Sequence, residues 1–141
     1  DMMAEMLRAL VSEEGYWSID TADYMMDLGQ VFHYIADYFT FPHNIEYPGT
    51  MTEHIHYEAQ LKVDFREFVR KMKETHAHFQ EVNMRSADEI CAFIKKCHTE
   101  YLHAVKSVEN DCRYILQICA QVVGSILHLL QQNSMPLGCY M

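Results

Sequence analysis

Helix breakers are nearly absent from most of this chain. Between Thr50 and Met135 there is no proline and a single glycine, Gly124, so this stretch is expected to form long helices rather than many short elements. No G-x-S-x-G, no glycine-rich phosphate loop and no C-x-x-C pair occurs. Their absence removes the serine-hydrolase, nucleotide-binding and structural-zinc readings. A charged, apolar, small-residue leader pattern is missing as well, although a start at Asp1 fits an excised domain or a mature form. The longest apolar run, near Ile126 to Leu130, falls far short of the roughly 20 residues of a membrane span.

Basic charge is scarce. Eleven Lys and Arg face twenty Asp and Glu, for a formal net charge of −9, which speaks against nucleic acid, anionic membrane surfaces and membrane insertion. Protonating all nine histidines would bring the net charge to about zero, so association is expected to rise below about pH 6.5. The five cysteines form an odd, unpaired set. Reduced thiols in a cytoplasmic protein are the expectation, with Cys139 the exposed and oxidisable one. A Cys–His nucleophile built on Cys97 and His98 fails, because neighbouring side chains on a helix diverge by about 100°.

What is present is helical periodicity. Half of the 141 residues are apolar, enough for one domain with a real core. The spacing predicts an all-α antiparallel bundle of four to five helices, two of them long, over residues 1–141. A short first helix covers Met2–Glu13, ended by Gly15. A second covers Asp20–Phe39, with Tyr24, Leu28, Val31, Ile35, Tyr38 and Phe39 on one face. Pro42 and Pro48 bound a loop. Capping boxes at Thr50-Met-Thr-Glu53 and Ser86-Ala-Asp-Glu89 open a third helix, Met51–Val82, and a fourth, Ala87–Val108. A kink or tight turn near Asn110-Asp111 separates the last helix, Asp111–Gln132.

Histidine and carboxylate at helical spacing is the one constellation that suggests chemistry, because di-iron bundles are built from such residues projecting into the core. His54-Ile-His-Tyr-Glu58 is an H-x-x-x-E pair that resembles the hemerythrin family, and His98 with His103 is similar to that family's final pair of ligands. The resemblance implies an iron-binding bundle. On the third helix His54, Glu58 and His76 fall on or beside the apolar stripe, and on the fourth His98 lies at its edge. Glu53-x-x-His56 and Glu100-x-x-His103 match ferritin-like spacing, but neither pair aims both side chains inward. His33 faces away from the stripe of the second helix. About 33 Å of helix separates His54 from His76, too far for one shared site.

The leading expectation is a non-enzymatic helical interaction or regulatory domain without a cofactor, self-associating or binding a protein partner. Met25, Met26 and Phe32 extend beyond the second helix's stripe. The broad apolar arc of the last helix (Leu116, Val123, Leu127, Leu130) suits either a central helix or a homo-oligomer interface. The alternative is a transition-metal bundle for O2 or metal sensing, holding iron or zinc through His54, Glu58, His76 and His98. The expectation leans against an enzyme.

Overall fold

The computed structural model describes residues 2–44 and 48–133. These residues form six α-helices and one 3-10 turn, with no strand among them. In chain order they are α1 (Met2–Leu10), α2 (Glu13–Trp17), α3 (Ala22–Tyr38), the 3-10 turn Phe41–His43, α4 (Met51–Thr75), α5 (Ala87–Leu102) and α6 (Val108–Asn133). The all-α antiparallel bundle is therefore present, with α4 and α6 its long members and six helices in place of four to five.

The axis of the bundle is α6, which packs against α2, α3, α4 and α5. Its Ile115, Ile118, Val122, Ile126 and Leu129 are buried, each contributing about 1.5–3 kcal/mol of transfer free energy. By length and composition α6 is apolar enough to cross a membrane; a buried core helix carries the same signature, and neighbouring helices cover this apolar face. Leu130, expected at an interface, belongs to the core at 3% exposure. Leu116 and Val123 are half-buried, whereas Leu127, Met25 and Met26 are exposed. Phe32 is half-buried against the core.

Helix boundaries depart from the periodicity where side chains take over hydrogen bonding from the helix. The segment read as one helix over Met2–Glu13 divides at residues 11 and 12, and Ser12 caps α2 by accepting the Gly15 amide at 3.0 Å. Gly15 lies inside α2 rather than ending α1. A Cβ there would stand 2.5 Å from the Leu10 carbonyl oxygen, so the residue permits close approach of two backbones. The long third helix stops at Thr75, not Val82. His76 adopts a left-handed conformation (φ 54°, ψ 30°) as its C-cap, a geometry histidine tolerates better than most side chains.

Residues 77–85 then carry no helix. Gln121 Nε2 of α6 donates to the Gln80 carbonyl at 3.0 Å and Ser125 Oγ to the Val82 carbonyl at 2.9 Å, so side chains satisfy groups a continued helix would have paired. The capping box at Thr50 forms in full. At Ser86 only half forms: its hydroxyl accepts the Glu89 amide, while Glu89 takes the amide of Arg85. The break before α6 lies at residues 103–107 rather than at Asn110-Asp111, with Ser107 Oγ accepting the Asn110 amide at 3.1 Å.

Candidate metal centre

The capping box fixes the start of α4, and with it the faces of the helix. His54, Glu58, Lys62 and Arg66 follow at four-residue steps, so they share one side. Glu58 Oε1 accepts from His54 Nε2 at 3.0 Å and from His43 Nε2, on the 3-10 turn, at 2.6 Å. The two imidazoles meet edge to face, with centroids 5.1 Å apart. The three donor atoms lie within 4.8 Å of one another. The cluster is half open to solvent: side-chain exposure is 34% for His43, 23% for His54 and 40% for Glu58. The hydrogen bond from His43 holds the Glu58 carboxyl below its ordinary value; partial burial opposes this and the bond from His54 adds to it.

A chain of contacts aims His43. Asp111, fully buried at the start of α6, accepts the Phe41 amide at 2.8 Å and the Tyr57 hydroxyl at 2.6 Å on Oδ2, and the Tyr101 hydroxyl at 2.6 Å on Oδ1. Burial raises the Asp111 carboxyl above its usual range, while these donors pull it down. Burial, with the bond to Asp111, drives the Tyr101 phenol far above its ordinary value. On the far side of the turn, Asn44 Nδ2 donates to the Thr40 carbonyl at 2.9 Å, and Asn44 Oδ1 lies 2.9 Å from His98 Nε2. His98 in turn stacks on Tyr38 with centroids 3.6 Å apart.

Of the four expected ligands, the structure brings together His54 and Glu58. His98 meets Asn44 instead, and His76 caps the far end of α4. None of the nine histidines is buried. Glu53, His56, Glu100 and His103 are all exposed. His43 was missed because it sits outside the periodic helices, on the loop between Pro42 and Pro48. His33 does face away from the core, but toward a cleft: its Nε2 lies 3.3 Å from Asp37 Oδ2, and Asp37 Oδ1 lies 3.8 Å from His43 Nε2.

That cleft, of about 480 Å³, has His33, Asp37, His43 and Glu58 at one end. Leu61, Phe65 and Ile115 supply its apolar side, and Lys62 and Arg66 line it farther along α4. Residues 2–108 match the family described as zinc dependent phospholipase C. The chain belongs to that family. No curated protein and no solved structure matches it.

Membership in a zinc-dependent enzyme family, together with the His43–His54–Glu58 cluster, overturns the expectation of a non-enzymatic interaction domain and the leaning against an enzyme. The same observations overturn the expectation of no cofactor. The metal-binding alternative fits better, with zinc as the family's metal rather than hemerythrin-like iron. The donor set fits zinc. Two imidazole nitrogens and a carboxylate oxygen are the His2Glu set of catalytic zinc sites, which leave a fourth position open. Both Nε2 atoms point at one Glu58 oxygen, so a cation would replace protons shared between groups that already converge. Bonds of 2.0–2.1 Å place tetrahedral ligands about 3.3 Å apart, close to the spacing here.

Proposed function

We propose that this chain hydrolyses the phosphodiester of a phospholipid on its glycerol side, with zinc held by His43, His54 and Glu58. The observation that carries the reading is the convergence of those three donor atoms beside a cleft that His43 and Glu58 help to line, together with apolar Leu61, Phe65 and Ile115 and cationic Lys62 and Arg66. A phospholipid needs both surfaces, one for its acyl-glycerol part and one for its phosphate.

Bound there, zinc supplies Lewis-acid activation of water and of a phosphoryl oxygen. The protein's own part is orientation. Before a metal binds, the bonds from His43 and His54 favour the ionised form of Glu58, which is the form a cation needs. Asp37 places a carboxylate between His33 and His43, 3.3 Å from the first ring and 3.8 Å from the second. Leu61, Phe65 and Ile115 exclude water from the neighbouring wall, which strengthens polar interactions within the cleft. The test is turnover of dihexanoyl phospholipids by tag-free, zinc-supplemented protein. Hydrolysis releasing diacylglycerol, abolished by chelator and restored by zinc, supports the reading. No turnover of any phospholipid class by protein shown to hold zinc would overturn it.

A further inference from the structure

Lys62 and Arg66 have no part in holding the metal, yet both line its cleft. They follow Glu58 at one and two helical turns, about 6 and 12 Å along the axis of α4. Among the described residues Arg8 pairs with Asp88, and Arg70, one turn beyond Arg66, with Glu67 and Glu74. Lys62 and Arg66 do not: no side-chain hydrogen bond or ion pair joins either to another described residue. Glu58, four residues before Lys62, is the natural helical partner, but its Oε1 is taken by the two histidines. Lys62 and Arg66 are themselves like charges four residues apart, an arrangement that weakens a helix. Two cations without an ion pair therefore line one cleft together with Asp37 and Glu58, at some cost to the helix that carries them.

We propose that Lys62 and Arg66 recognise a second anionic group on the lipid headgroup, so that the cleft selects a phosphorylated or carboxylated headgroup over a quaternary ammonium. This rests on the phospholipase reading for the nature of the ligand. One phosphodiester already balances the net charge of a Zn(His)2Glu centre. With Asp37 also in the lining, Lys62 and Arg66 still leave one positive charge that a single phosphodiester does not balance, and a second anionic group on the headgroup would meet it. A choline ammonium placed there would meet like charge, whereas a phosphate would accept from the Lys62 ammonium and the Arg66 guanidinium. The acidity of the chain as a whole disfavours an anionic bilayer surface, so selection by these two residues acts on the single lipid in the cleft.

The experiment is equilibrium binding of monomeric dihexanoyl lipids to zinc-loaded protein. The lipids carry a phosphonate carbon in place of the scissile ester oxygen, with either an inositol 4-phosphate or a choline headgroup, and inorganic phosphate is a third ligand. Wild type is expected to bind the inositol phosphate lipid at least about tenfold tighter than the choline lipid. K62M/R66M should remove that preference and leave the zinc content unchanged. K62R/R66K should keep it, as should K71M/K73M, which removes the same charge from α4 outside the cleft lining. Equal affinity for the two lipids in wild type, or a preference that survives K62M/R66M, would overturn the assignment. So would a loss of inorganic phosphate binding in the double variant without any headgroup preference, because the pair would then be a general phosphate clamp. Turnover of the parent esters is read separately: headgroup preference without hydrolysis would remove the phospholipase reading and leave this one standing.

Discussion

The Asp111 carboxylate accepts the main-chain amide of Phe41 at 2.8 Å, across seventy residues of sequence. That bond fixes the first residue of the turn whose last residue is His43. Asp111 lies beyond residue 108, where the family match ends, so α6 supports the candidate metal centre from outside the matched segment. Supports of this kind commonly change metal affinity 10–100-fold when lost.

Asp111→Ala should destabilise the fold by at least about 3 kcal/mol, because it leaves the Phe41 amide and two tyrosine hydroxyls unpaired in the interior. It should also weaken zinc binding by about tenfold or more. Asp111→Asn, which keeps one acceptor, should cost less. Burial places the folded pKa of Asp111 above its unfolded value, so its contribution to stability falls as pH rises from about 3.9 through the folded value. The deficit of Asp111→Asn relative to wild type should therefore shrink between pH 4 and pH 7. Thermal melts of both variants at the two pH values, with zinc titrations, check this.

Glu58 should behave in the opposite sense. Its folded pKa is depressed, first by the bond from His43. Its contribution is present above the unfolded value of about 4.3 and is lost as pH falls through the folded one. In metal-free protein Glu58→Gln should flatten that part of the acid-unfolding profile. An unchanged acid profile in the variant would mean that the histidine bonds to Glu58 do not form in solution.

The cysteines should be slow to react in the native state. Burial pushes the Cys112 thiol up to about 11 and Cys119 up to about 12, and raises Cys91 and Cys97 as well. All four are free thiols, so thiol labelling at pH 7.5 should accelerate greatly on unfolding. Cys139 lies outside the described residues.

Leu130→Glu and Leu127→Glu, three residues apart on α6, should separate folding from surface effects. Leu130 is 3% exposed and Leu127 is 49% exposed. A buried unpaired carboxylate at 130 should lower stability by more than about 3 kcal/mol, against about 0.5 kcal/mol or less at 127. Denaturant melts measure both, and sedimentation of the Leu127 variant tests whether this exposed leucine joins two copies of the chain.

The bundle was legible in the sequence because apolar periodicity and caps act locally. Thr50 and Glu53 announce α4, and Ile115, Ile118, Val122 and Ile126 announce a core helix. Helix ends were not legible where distant groups decide them: His76 ends α4 without a glycine or proline, and Gln121 and Ser125 hold the following segment from another helix. The candidate metal centre was half legible. His54 and Glu58 stand out at four-residue spacing, but apolar periodicity marks core-facing histidines, and this site lies at the rim. Periodicity points to His98, which buttresses Asn44, rather than to His43, outside the periodic helices, or His33, which faces the cleft. Phospholipase chemistry was not legible, because no local motif joins a loop histidine to an i, i+4 pair on the next helix.

The most direct test of this zinc centre is the zinc content of tag-free protein, wild type against His43→Ala, after equilibration with zinc and removal of loosely bound metal. Wild type should hold at least one equivalent per chain and the variant about one equivalent less, with His76→Ala unchanged. Less than about a tenth of an equivalent in wild type, or full retention in His43→Ala, would contradict a zinc centre built on His43, His54 and Glu58.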